Sequence, residues 1–280
     1  MPIPIRSVQN ERVKFALRLR DRRDRDATGC MLIEGYRENL RALDAGVRPR
    51  ALFFCRALFL GTNEEELLRR AAAAGADLLD CSEAVFRKLS YRDRPDGLLA
   101  IAPIQRSTLG ELRLPERPLV LVMERIEKPG NLGTMLRTAD GAGVHAAIVC
   151  DRCTDVYNPN TVRASVGALF TVPVVEASSE EVVDWLRAKG IRIVAATPSA
   201  TRVLFDCDFT RATAIVVGSE QYGLSPLWME QADERVVIPM LGRCDSLNVA
   251  AAATILLYEV VRQRWPWIHP ERAVQTPSST

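Results

Sequence analysis

"PLVLVMERIEKPGNLGTMLRTADGAGVHAAIVCD", residues 118–151, reads as strand, loop, helix and strand in immediate succession. The runs 118–126 and 145–151 are almost continuously apolar, the pattern of strands buried on both faces. Between them Pro129, Gly130 and Asn131 form a loop, and residues 131–142 have helical spacing with Asn131 placed as the cap. Strand, helix and strand at this spacing are the building unit of a parallel sheet. The loop follows a strand, so it lies at the carboxyl edge of that sheet, where open α/β folds bind ligands.

Working outward, four more runs extend the sheet: 170–176, 191–197, 213–218 and 234–240. Helix patterns fall at 159–168, 179–189 and 247–264, the second with Ser178 and Glu181 spaced as a capping box and Gly190 as its stop. The first hundred residues mix helix and strand in another register. They carry a basic helix over 12–26, a strand passing into a helix over 30–46, strands over 50–55 and 97–103, and a helix over 63–76. Residues 104–118 have turn and linker character. The expected organisation is an α/β domain over 1–105, a linker over 106–117, a second α/β domain over 118–265, and a loosely attached tail over 266–280 whose prolines break any periodicity.

Composition narrows the function. A 280-residue chain with 48% hydrophobic and 26% charged residues is ordinary for a water-soluble globular protein. Its start lacks the apolar segment of a signal peptide, and its longest apolar run, 248–258, is short for a membrane span. A cytoplasmic protein is the expectation. Seven cysteines are scattered singly apart from Cys150 and Cys153, and with only two histidines no metal site is expected. Residues 1–106 hold 20 Lys and Arg against 15 Asp and Glu, so the front of the chain is its basic half. Arg12, Lys14, Arg18, Arg20, Arg22, Arg23 and Arg25 offer a surface for a phosphate backbone, blunted by Asp21, Asp24 and Asp26.

No glycine signature of a nucleotide site is present. Instead, three polar loops each follow a buried strand. The first puts Gly133, Arg137 and Asp140 on one helix face. The second holds Gly218, Ser219, Glu220 and Gly223; the third leads through Asp245, Ser246 and Asn248 into a run of alanines, with Ser246 or Asn248 as the cap. A fourth block, "YNPNTVRASVGALF" (157–170), places Asn158, Arg163, Ser165 and Gly167 around another helix start.

Together "ERIEKPGNLGTMLRTADGAG", "NPNTVRASVGALF", "VVGSEQYGLS" and "IPMLGRCDSLNVAAAATILLYE" resemble the signature motifs, and the block between them, of the SpoU/TrmH class of SPOUT RNA 2′-O-methyltransferases. The resemblance covers about 150 residues in order and spacing, and the N-terminal part looks like the ribosomal-protein-like RNA-binding domain of the ribosomal-RNA members. It implies a parallel-sheet domain closed by a deep trefoil knot, a homodimer, and S-adenosylmethionine held by Thr197, Gly218, Ser219, Glu220, Ile238, Met240, Ser246, Leu247 and Asn248. It further implies that Arg137 is the catalytic arginine, with Asn131, Glu220, Ser246 and Asn248 shaping the site. Arg12, Lys14, Arg18, Arg22, Arg163 and Ser165 are the candidate RNA contacts. Two departures stand out: Ser219 where the family pattern has asparagine, and Asp245 where glutamate is commoner. The implied activity is methylation of a ribose 2′-hydroxyl of ribosomal RNA, most specifically 23S rRNA. A transfer-RNA enzyme and a non-catalytic RNA-binding module are the alternatives.

Overall fold

The computed structural model describes residues 2–268, and by its internal contacts the chain divides into two units. The first comprises residues 2–106 together with 132–137 and 155–171. In chain order its N-terminal part runs β1 (Ile3–Ile5), α1 (Glu11–Arg18), α2 (Arg22–Thr28), β2 (Cys30–Glu34), α3 (Tyr36–Asp44), β3 (Ala51–Phe54), α4 (Glu64–Ala73), β4 (Asp77–Cys81), α5 (Glu83–Leu89) and β5 (Leu98–Pro103). The five strands form one sheet in the order β1-β4-β3-β5-β2, with β5 antiparallel to both its neighbours. Phe53, Leu79, Phe86 and Leu99 fill a core on that sheet. Sequence patterning misses β1, β4 and α5. The reason is local: β1 contains Pro4, tolerated because β1 is an edge strand, and β4 begins and nearly ends with aspartate.

The basic helix expected over 12–26 is two helices. Asp21 accepts from the backbone N–H of Arg23 at 2.7 Å and starts α2 afresh, a local bond that competes with continuing the first helix. The break also reverses the expectation for Arg25. Only 1% exposed, it gives two bonds to Asp155 Oδ2, at 2.9 and 2.6 Å, and two more to the carbonyls of Leu19 and Arg20. Arg25 therefore belongs to the interior of the first unit and presents nothing to solvent.

The second unit comprises residues 107–131, 138–154 and 172 onward. The remaining elements are β6 (Leu119–Glu124), α6 (Pro129–Gly141), β7 (Ala146–Cys150), α7 (Pro159–Ser165), β8 (Val174–Ala177), α8 (Ser179–Ala188), β9 (Arg192–Ala196), β10 (Arg202–Val203), β11 (Thr213–Val217), α9 (Pro226–Gln231), β12 (Glu234–Val237) and α10 (Val249–Ile268). Of these, α7 belongs to the first unit. Seven parallel strands form the sheet in the order β10-β12-β9-β11-β6-β7-β8. From β6 the chain moves outward to β7 and β8, then crosses to β9 on the far side and returns to insert β11 between β9 and β6. The direction of winding changes beside β6 and β11, and the loops after these strands are the switch-point loops of a parallel sheet. Buried Val120, Val122, Ile148, Ile193, Val216 and Trp228 pack one side of it.

The helix expected to stop at 264 continues to Ile268. Arg264 explains the continuation. It is buried, donates to the carbonyls of Phe209 at 2.8 Å and Arg117 at 3.0 Å, and so pins the last turns to the second unit. The expected tail over 266–280 therefore begins inside a helix, and residues 269–280 lie outside the described residues.

Candidate functional site

The loops that follow β9, β11 and β12 enclose a cavity of about 860 Å³ in the second unit. Thr197 comes from the first of these loops, Gly218, Ser219 and Glu220 from the second, and Ile238, Met240, Ser246, Leu247 and Asn248 from the third. All nine residues expected at the cofactor thus line one space. Val217, Val236 and Met229 add an apolar wall, so the cavity is greasy on one side and polar on the other, as small-molecule sites are.

The β11 loop is shaped by close backbone contact. Ser219 and Gly223 exchange backbone bonds of 3.2 and 3.1 Å, and Ser219 Oγ accepts from the N–H of Tyr222 at 3.0 Å. A Cβ on Gly218 would stand 2.3 Å from the Gly223 carbonyl oxygen, so only glycine fits there. Buried Glu124, the last residue of β6, anchors the far end of the loop by accepting from the N–H of Ser225 at 2.8 Å. Glu124 was not singled out from the sequence; its signal was a carboxylate inside an otherwise apolar run.

Glu220 is where the loops meet. Its Oε1 accepts from Asn131 Nδ2 at 2.9 Å and Asn248 Nδ2 at 2.6 Å, while Oε2 accepts from Lys128 Nζ at 2.5 Å. Asn248 Nδ2 also reaches Asn131 Oδ1 at 3.2 Å. Residues 89 and 28 positions from Glu220 in sequence are joined on one carboxylate. The Lys128 ammonium, with the Asn131 amide and the backbone N–H of Val249, holds the Glu220 carboxyl below its ordinary range against a small opposing effect of burial. Lys128 was not singled out from the sequence, although it immediately precedes the Pro-Gly-Asn turn.

Two of the expected caps are resolved differently. Asn248 is a cap, its Oδ1 accepting from the N–H groups of Ala250 at 3.0 Å and Ala251 at 3.4 Å. Asn131 is not. The α6 helix begins at Pro129, whose fixed φ and missing N–H suit the first helical position, so Asn131 sits within the first turn and its amide is free for Glu220. Ser246 and Asp245 are exposed on the loop before α10.

Arg137 lies six residues beyond Asn131 on α6, exposed, and makes no hydrogen bond or ion pair among the described residues. It is not part of the Glu220 network. Gly133, on the same face, permits close approach by the backbone of α7: a Cβ there would stand 2.5 Å from the Thr161 carbonyl oxygen. On α7 Arg163 is exposed, whereas Ser165 is fully buried and donates its hydroxyl to the Val162 carbonyl at 2.8 Å. That bond closes the short helix and leaves no hydroxyl for an RNA contact, which corrects the expectation for Ser165. Arg12, Lys14, Arg18 and Arg22 are exposed, each within 4 Å of an acid, Asp77, Glu11, Asp24 and Asp26 respectively. Such exposed pairs are weak and leave the cations available to a stronger anion.

The model of the SpoU rRNA methylase family matches residues 118–258, and that of the MRM3-like substrate binding domain matches residues 10–100. The chain belongs to the SpoU rRNA methylase family. Among relatives of this SpoU methylase, the 23S rRNA (uridine(2479)-2′-O)-methyltransferase of Streptomyces viridochromogenes is 35% identical over 88% of this chain and 87% of its own length. A 23S rRNA (guanosine(2553)-2′-O)-methyltransferase of Bacillus subtilis is 29% identical over 91% of this chain and 98% of its own. The crystal structure of an AdoMet-bound rRNA methyltransferase from Sinorhizobium meliloti is 31% identical and superposes with a TM-score of 0.85, over 93% of this chain and 97% of that one. The two relatives named for their nucleotide act on different bases, so membership of the SpoU methylases does not by itself fix the base.

Proposed function

We propose that this SpoU methylase transfers the methyl group of S-adenosylmethionine to a ribose 2′-hydroxyl of 23S rRNA. The observation that carries the reading is the convergence on Glu220 of the loops after β6, β11 and β12, at the rim of an 860 Å³ cavity. The residues fit the cofactor: Ile238, Met240 and Leu247 offer apolar surface to a purine, and Glu220 and Asp245 offer negative charge to a sulfonium. When bound, the cofactor supplies a methyl group on positively charged sulfur.

The chain must do the rest. A ribose hydroxyl is a poor nucleophile that loses its proton during attack, and an arginine is always charged in a protein, so Arg137 does not act as a simple base. Its guanidinium stabilises the negative charge developing on the 2′-oxygen and orients a neighbouring RNA phosphate, which accepts the proton. Asn131, Ser246 and Asn248 position substrate and cofactor, and Glu220 fixes the two asparagines.

We further infer a homodimer in which Arg137 of one protomer serves the cavity of the other, and a chain threaded after β12 into a deep trefoil knot. Supporting the dimer, Arg137 lacks a partner among the described residues, and Tyr258 and Trp265 are 49% and 40% exposed on α10. Supporting the knot, β11 is inserted between strands formed earlier in the chain. Residues 1–105 bind the rRNA, with Arg12, Lys14, Arg18 and Arg22 on its phosphates and Arg163 adding charge from α7; residues 106–117 link this domain to the methyltransferase domain over 118–265. The setting we propose is the cytoplasm, where its cysteines stay reduced.

The test is transfer of radiolabelled methyl from S-adenosylmethionine to RNA from a strain lacking the enzyme, with Arg137→Ala alongside. Alkali-resistant label in large-subunit RNA that falls at least about a hundredfold in the variant is expected. Label confined to transfer RNA would overturn the substrate, and no label in any RNA despite cofactor binding would leave a binding module.

A further inference from the structure

Three exposed arginines of the first unit stand on elements that touch one another: Arg137 on α6, Arg163 on α7 and Arg37 on α3. Close contacts fix their order. Gly133, one turn before Arg137, lies so near α7 that a Cβ there would be 2.6 Å from the Cβ of Ala164, the residue after Arg163. At the end of α7 the Arg163 carbonyl accepts from the N–H of Val166 at 3.0 Å, and the Val166 carbonyl accepts from Arg41 Nη1 of α3 at 2.8 Å. A Cβ on Gly167 would stand 3.3 Å from the Cα of Glu38, the residue after Arg37. Arg37 and Val166 also line one cavity, of about 450 Å³. The three cations therefore form a band that passes from α6 over α7 to α3.

None of the three makes a hydrogen bond or ion pair among the described residues. No carboxylate on these elements offsets them either. Residues 157–171 contain no aspartate or glutamate, nor do residues 128–139. Glu38, beside Arg37, is buried and spent on Arg92 at 2.6 Å. The basic run over α1 and α2 differs in this respect. There Arg12, Lys14, Arg18 and Arg22 each have an acid within 4 Å, which an incoming anion has to displace. A band of one sign on neighbouring elements repels itself and attracts a polyanion. The partner whose chemistry matches is a phosphodiester strand, because its charges repeat along a line and a planar guanidinium takes two oxygens of one phosphate.

We propose that the RNA strand flanking the target ribose runs across α7 towards α3, with its phosphates held by Arg163 and Arg37. The proposal rests on the RNA-directed function above and adds to it a path for the strand. Arg137, at the reacting ribose, begins the path, and Arg163 and Arg37 continue it on the same unit. Arg41 is a positioning residue: its bond to the Val166 carbonyl ties α3 to α7 and so sets the spacing between the two phosphate contacts. Contacts of this kind fix register and orientation without reading a base.

The test measures binding of the full chain to a short fluorescent oligouridylate over a salt series, and in parallel KM and kcat on rRNA from a strain lacking the enzyme. Each phosphate contact to a single strand contributes about 0.7 to the slope of log K against log salt, so Arg37→Ala and Arg163→Ala should each lower that slope by about 0.7. Each should raise the KM for rRNA about fivefold at nearly unchanged kcat, because neither residue touches the reacting atoms. Arg37→Lys and Arg163→Lys keep the charge and should keep the slope. Arg48 is the control. It is also exposed and without an ion pair among the described residues, but lies past the opposite end of α3, so Arg48→Ala should alter neither slope nor KM. An equal loss in Arg48→Ala would reduce the band to general charge attraction and overturn the path. Unchanged slopes in the Arg37 and Arg163 variants, or a slope lowered only by Arg12→Ala and Arg18→Ala, would overturn it too, even in an enzyme that methylates rRNA normally. The expected pattern of slopes in a chain that methylates no RNA would instead keep the path and sink the methyl-transfer reading.

Discussion

Asp155 and Glu220 each gather donors from remote parts of the chain, but the Asp155 side chain does so at 5% exposure and that of Glu220 at 24%. Around Asp155 everything is dry and satisfied. Arg25, 130 residues away, spends two bonds on one carboxylate oxygen, and the other oxygen accepts from the N–H of Tyr157 at 2.9 Å. Around Glu220 the donors are softer: two amides and a lysine that is itself two-thirds exposed, at the wall of a cavity. The same chemistry, a carboxylate bridging distant segments, thus serves architecture where water is excluded and a ligand site where water can be displaced.

The sharpest way to break this contrast is at Arg25. Arg25→Ala leaves Asp155 as a buried, uncompensated charge and should cost about 3–5 kcal/mol in urea denaturation. Arg25→Met combined with Asp155→Asn removes the charge from both sides and should recover most of that loss. A single-variant loss below about 1 kcal/mol would show that the pair is as wet as Glu220, and the comparison would fail.

Next in size is Gly133→Ala. The added methyl meets the α7 backbone, and overpacking of this kind costs about 1–3 kcal/mol, read as a lowered Tm. Glu220→Gln comes third. It should change stability by less than about 1 kcal/mol, because its pair with Lys128 is largely exposed, yet weaken S-adenosylmethionine binding about tenfold by calorimetry. A large stability loss there would make Glu220 a second Asp155.

The smallest effect is in pH. The folded-state pKa of Glu220 is lowered from 4.5, so its ionised form contributes stability that is complete above that value and fades as pH falls through the lowered one. Carbon-13 titration of its carboxyl should give a midpoint below 4.5, and the accompanying drop in Tm should be absent in Glu220→Gln. A midpoint at or above 4.5 would mean that the Lys128 contact is not formed in solution.

Much of the second unit was legible from local pattern. Continuous apolar runs mark β6, β7, β9 and β11 because a strand buried on both faces needs no polar residue, and the capping box at Ser178 marks the start of α8. The two-residue β10 and the six-residue α9 are too short to show a period. In the site, local pattern marked the polar and glycine-bearing loops after buried strands, whereas the nine residues expected at the cofactor came from the resemblance of the motifs; all nine line the cavity. The cap at Asn131 and the guanidinium of Arg25 were misjudged for one shared reason. Each side chain's use depends on a partner, Glu220 or Asp155, that sequence periodicity does not bring to it, whereas the hydroxyl of Ser165 is spent on Val162, three residues back on its own helix.

By itself the sequence determined the α/β class, the buried strands, the loops that carry the chemistry and the family to which those loops belong. These follow from local patterns of polarity and from residue types at fixed spacing. Only the tertiary structure decided that β11 lies between β9 and β6, that Lys128, Asn131 and Asn248 share one carboxylate, and that Arg25 is buried. Strand order and polar partnering are set by competition among contacts far apart in the chain, whose energies no local window contains.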